Sequence, residues 1–164
     1  MRRLRPAGFV DLGRVPARDR ATLPSMAHRV GNEHWSLACP KGWRSKDEPD
    51  CLSLVPPSEV GALQLSSHVK KGGPVDDADL LEFAADHIGA GAPRRDVRLG
   101  DFTGFEITYD TDAFACREWY LRKSKTLLYA TYSCHLAQRG SEDEVVERAL
   151  VSLRAGPVGD GAEG

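Results

Sequence analysis

FTGFEITYDTDAFACREWYLRKSKTLLYATYSC, residues 102–134, carries the reading of the fold. It divides into three consecutive β-strands with two tight connections and almost no helical periodicity. In the first strand Thr103, Phe105, Ile107 and Tyr109 fall on one face. In the second, roughly 113–122, and the third, 126–134, apolar residues occupy both alternation phases. A strand that is apolar on both faces belongs in the middle of a sheet covered on both sides.

Working outward, 34–39 (HWSLAC) predicts a strand that stops at the turn Pro40-Lys41-Gly42-Trp43. RSKDEPD reads as a polar loop, 51–55 (CLSLV) as a second strand ended by Pro56-Pro57, and 62–68 (ALQLSSH) as a third. A helix is expected over roughly 77–89, capped by Asp76 or Asp77, with Leu80, Leu81, Ala84 and Ile88 on one face. A short strand at 96–99 leads through Gly100-Asp101 into the quoted stretch. Ser141 and Glu144 have the spacing of a capping box for a second helix, whose apolar stripe is Val145, Val146, Ala149, Leu150 and Leu153. The order is three strands, helix, four strands, helix. The expectation is an α+β fold: an α/β/α sandwich with a largely antiparallel sheet of six to seven strands and one helix on each face.

The chain has 164 residues, 41% hydrophobic and 28% charged, with a net charge of −2. These values suit one domain at 32–155 and give no whole-chain argument for nucleic acid or membrane binding. Residues 1–25 hold six arginines against two aspartates, and 1–31 read as a disordered basic arm, with Met26 as an alternative start. Residues 156–164 read as a disordered tail. No apolar run reaches the roughly 18 residues of a membrane span, and no signal-peptide core follows the basic start, which points to the cytoplasm.

The opening HWSLACPKGW resembles the strand and Pro-x-Gly-Trp turn that begin PsbP-like and DcrB-like domains. VRLGDFTGFEITYD and REWYLRKSKTLLYATYSC, followed by a helix ending SLR, resemble their later parts, so the resemblance covers roughly residues 34–154. The family includes the photosystem PsbP subunit, the Ran-binding Mog protein, DcrB-type lipoproteins and the Eag chaperones of type VI secretion effectors. The resemblance implies a non-enzymatic binding module, a bacterial chaperone or adaptor for a protein or peptide segment, without a cofactor. A homodimer is an alternative partnership. The candidate partner-binding residues are Trp43, Arg117, Trp119, Tyr120, Tyr129 and Tyr132. Aromatic residues anchor interfaces when exposed, and the arginine interleaves them.

Reactive chemistry has weaker signals. Cys39 and Cys51 with His34 match no zinc-ligand spacing. If the strands pair across Lys123-Ser124-Lys125, Thr131 or Tyr132 stands opposite Cys116. Cys134 is then offset diagonally, near the roughly 7–8 Å at which a disulfide fails. Cys134 and His135 are adjacent on a strand and point apart, which leaves Cys116 with His135 or His68 as the nucleophile–base alternative. A small-molecule carrier with a pocket between sheet and helix is a further alternative.

Overall fold

Phe114–Lys123 and Thr126–His135 pair antiparallel over their whole lengths and form the centre of the molecule. The structure is a computed structural model that describes residues 28–157 and the backbone of Val10–Asp11. In chain order the strands are β1 (Val10–Asp11), β2 (Arg29–Gly31), β3 (Trp35–Ala38), β4 (Arg44–Asp47), β5 (Leu52–Val55) and β6 (Gly61–Val69). They continue with β7 (Arg94–Leu99), β8 (Phe102–Asp110), β9 (Phe114–Lys123), β10 (Thr126–His135) and β11 (Arg154–Ala155). The helices are α1 (Asp77–Phe83), α2 (Ala85–Gly89) and α3 (Asp143–Val151). The main sheet runs β4-β5-β6-β10-β9-β8-β7, with β1 attached to β6, and β11-β3-β2 form a second, small sheet. Every pairing is antiparallel. The fold is α+β.

Because side chains alternate, the central strands feed two separate cores. On one face Trp119, Leu121, Leu128 and Ala130 meet Leu54, Leu63 and Leu65 beneath α3 and the small sheet, which contribute Leu150, Leu153, Trp35 and Leu37. On the other face Tyr120, Leu127, Tyr129, Phe105 and Ile107 pack against Leu80, Ala84 and Val75 from the α1 side. This is the two-sided burial that the double alternation of β9 and β10 predicts.

Several expectations are corrected. Trp35–Ala38 does not extend the main sheet; it pairs with Arg29–Gly31 and Arg154–Ala155. The sequence pattern puts the first of these in the arm and the second at the end of the last helix, which instead stops at Val151. Arg44–Asp47, expected in a loop, is an edge strand paired with β5. It hides from periodicity because three of its four residues are exposed. The first helix breaks at Ala84 into α1 and α2. The strand before Gly100 starts at Arg94. The capping box lies at α1, where Asp76 accepts from Asp79 N and Asp79 accepts from Asp76 N, each at 2.9 Å. α3 has Glu142 at its N-cap with no side-chain cap, so Ser141 and Glu144 do not form the expected box. Of the arm and tail, residues 1–9, 12–27 and 158–164 lie outside the described residues.

The β9–β10 register is also one residue from expectation. Lys123 pairs with Thr126 and Cys116 with Ser133, so Cys116 and Cys134 lie on opposite faces of the sheet. None of the four cysteines is in a disulfide.

Candidate functional site

On the α1 face of β9, alternation places Cys116, Glu118 and Tyr120 in one row. Glu118 stands between Ile107 on β8 and Thr131 on β10. A carboxylate in such a row must find donors, because burying it unpaired costs several kcal/mol, about 2–7 even for a neutral polar group. Its side chain is only 4% exposed. Tyr109 Oη donates to Oε2 at 2.6 Å and Tyr120 Oη to Oε1 at 2.5 Å. His87, one turn beyond the helix break, brings Nε2 to 3.3 Å from Oε1. The His87 ring also stacks on Tyr109, with centroids 4.4 Å apart.

Aromatic rings continue from this point. Phe83 at the end of α1 stacks on Tyr129 at 5.3 Å and meets Tyr120 edge-on at 5.9 Å. His68 lies 5.5 Å from Phe83 on its other flank, with Ser66 Oγ 3.4 Å from its Nε2. Offset and edge-on ring pairs of this kind contribute about 0.5–1.5 kcal/mol each beyond their buried area.

The helices stop short of covering this face of the sheet. Beyond Phe83 a cleft of about 430 Å³ opens, floored by β6, β10 and β9 and walled by the loop Glu48–Cys51. Ser53 Oγ donates to Glu48 Oε2 at 3.0 Å and accepts from Gln64 Nε2 at 3.0 Å, which ties that loop to the floor. Cys116 also lines the cleft. Burial pushes its thiol above the ordinary range, partly offset by the neighbouring Tyr109 hydroxyl.

The six expected site residues separate into three places. Tyr120 and Tyr129 sit at the cleft, Tyr120 wholly buried beneath it and Tyr129 in its wall. Trp119 and the side chains of Arg117 and Tyr132 face α3. The Arg117 guanidinium stacks over Trp119 at 4.8 Å and binds Glu106 at 2.6 Å, Asp143 at 3.0 Å and Glu147 at 2.8 Å. Tyr132 Oη donates to Glu142 Oε1 at 2.5 Å. Burial first, and then Glu142, hold that phenol above its ordinary range. Trp43 is half-buried beside the small sheet, in the turn closed by its N–H to Pro40 O at 3.0 Å.

The sequence does not mark His87 or Tyr109 as site residues, and it reads Glu118 as a sheet-rim charge or a partner contact, not as the centre of a site. The available signal was Glu118 itself, a charge in a row whose neighbours require burial. Its partners come from strand pairing and a helix, which no local pattern reports. Cys39, Cys51 and His34 do not form a metal centre: among the described residues no three His, Cys, Asp or Glu side chains converge with metal-site geometry. Burial raises the Cys39 thiol to about 11. His135 stacks on Phe114 at 5.0 Å, at the exposed end of the hairpin.

No family model and no curated protein matches the chain. Among solved structures it is similar to a protein from Bacteroides thetaiotaomicron VPI-5482, with a TM-score of 0.55 and 14% identity. That likeness covers 74% of this chain and 44% of the other, so this chain spans less than half of that protein's length. At this identity the likeness concerns the fold. Among the described residues no helix is long and apolar enough to cross a membrane.

Proposed function

We propose that this protein is a non-enzymatic binding module that holds a small molecule in the cleft between the sheet and the α1 side. The supporting observation is the cleft itself: about 430 Å³, within the roughly 300–1,000 Å³ of small-molecule sites, and built from rings and a few converging polar groups. Its floor is pinned by paired strands and the buried Glu118, so a ligand meets a surface ordered in advance. Burial raises the thiols of Cys39, Cys116 and Cys134, which counts against a thiolate nucleophile at neutral pH. We read the α+β architecture as PsbP-like, supported by the resemblance over 34–154 and by helices on both faces of the sheet.

Thr131 lies in the cleft wall and is half-buried. A fragment library screened by ligand-observed NMR should give saturable binders that Thr131→Trp abolishes without lowering the melting temperature. A wild-type protein that binds none of them overturns the reading.

A peptide partner is a second reading, favoured by one pairing. β5 covers β6 only at Leu63–Leu65, and β1 pairs farther along at His68 and Val69. A strand therefore already adds to this edge, as in recognition by strand addition. A peptide partner should shift the amide resonances of Ser66–Val69, and one that leaves them unmoved removes this reading.

A further inference from the structure

We infer that the cleft selects an organic cation, an aromatic or alkyl ammonium or amidinium group, with Glu118 as its counter-charge. The inference rests on the cleft being a ligand site and adds the class of ligand.

Charge is the first ground. The carboxylates lining the cleft are Glu48, Asp50 and Glu118. Arg117 also contributes to the wall, yet its guanidinium is turned through the sheet and held by Glu106, Asp143 and Glu147. No other arginine and no lysine lines the cleft among the described residues. A cleft whose charged side-chain groups are of one sign focuses its field and draws the opposite charge.

The rings are the second ground. Tyr109, Tyr129 and Phe83 line the same cleft. Aromatic faces attract cations, by about 0.5–1 kcal/mol when exposed and about 2 when desolvated. A neutral ligand would gain the ring contacts without the charge attraction, and an anionic one would be repelled by the acidic groups.

The third ground is the protein's own group on Glu118. His87 presents a planar ring whose nitrogen meets the carboxylate at 3.3 Å while its face lies on Tyr109 at 4.4 Å. That is the geometry an amidinium would adopt, one edge on the carboxylate and one face on a ring. The imidazole comes from α2, which has no buried residue, so this contact is one that a competing donor can displace.

The test titrates the full chain with benzamidinium, benzyl alcohol and benzoate by calorimetry. Benzamidinium should bind saturably while the neutral and anionic probes do not. Glu118→Gln should weaken it about tenfold or more, the loss of one charge-assisted contact, and Thr131→Trp should abolish it. His87→Ala, which clears the imidazole from Oε1, should tighten it. This variant carries the test if Glu118→Gln does not fold. Equal binding to wild type and Glu118→Gln, or no gain in His87→Ala, overturns the inference. Binding of benzoate or benzyl alcohol that Thr131→Trp removes, without binding of benzamidinium, overturns the cation preference and keeps the cleft as a ligand site. A wild type that binds none of the three overturns the cation inference, and the cleft reading falls with it only if the fragment library also yields no binder.

Discussion

Arg117 shows how one side chain joins two layers. It lies on β9, but its guanidinium reaches Asp143 and Glu147 on α3 and shares Glu106 with Arg95. Glu106 is only 4% exposed. Removing one partner of a buried pair costs about 3–5 kcal/mol, because the other charge stays buried. Here Arg95, at 2.6 Å but 68% exposed, still contacts Glu106, so the loss falls at the lower end. Arg117→Met should therefore lower stability by about 3 kcal/mol in urea unfolding. The double variant Glu106→Gln/Arg117→Met should recover at least about 1 kcal/mol of that, since it removes the stranded charge. A double variant no more stable than Arg117→Met would mean that lost packing on Trp119, rather than the carboxylate, sets the cost. Glu118, one residue away, is the same residue type pointing the other way, and two phenols and an imidazole replace the guanidinium there. In sequence the pair Arg117-Glu118 reads as two rim charges. Which face each takes, and what meets it, depends on strands and helices distant in sequence.

Among the elements, the β9–β10 hairpin is the most tightly specified. Its two-residue connection places Ser124 at φ +55°, a region that costs a residue with a Cβ about 1–2 kcal/mol and glycine nothing. The Ser124 carbonyl also accepts from Val75 N at 2.8 Å, tying the hairpin tip to the approach to α1. Ser124→Gly should raise stability by about 0.5 kcal/mol, because the relief of strain exceeds the added freedom of the unfolded chain. A lower unfolding midpoint would show that the serine side chain supports the turn. Elements of this kind are legible in sequence because their apolar alternation spans both faces. β4 is not: Arg44-Ser45-Lys46 carry no apolar signal, being an exposed sheet edge. Nor is the small sheet, whose strands of three, four and two residues form only when the start and end of the described chain meet. Gly100 marks that closure. Its φ is +61°, and a Cβ there would overlap the Leu153 carbonyl oxygen, which accepts from Asp101 N at 3.0 Å. The cleft was least legible of all, since it is the part of a sheet face that two short helices leave uncovered.

At the scale of the whole molecule, two cores share the central strands and little else. α3 and the small sheet lean on one face, α1 and α2 on the other, so either layer can loosen without first exposing the opposite core. β9 and β10 belong to both. Local opening follows the density of buried contacts, and amides that need both cores to open should exchange only through global unfolding. Among the described residues the edge strands have single neighbours: β4 pairs only with β5 and β7 only with β8. α2 contributes no buried residue, although His87 ties it to Glu118. Hydrogen exchange followed by mass spectrometry should therefore rank Arg117–Arg122 and Leu127–Tyr132 slowest, β4 and β7 faster, and α2 faster than α3. A ligand seated on Glu118 should slow exchange at the cleft floor and in the Glu48–Cys51 loop, leaving α3 unchanged, since the sheet separates the two. Equal protection of α2 and α3 in the free protein would show that the two layers open as one cooperative unit, and the division into two independent cores would then be wrong.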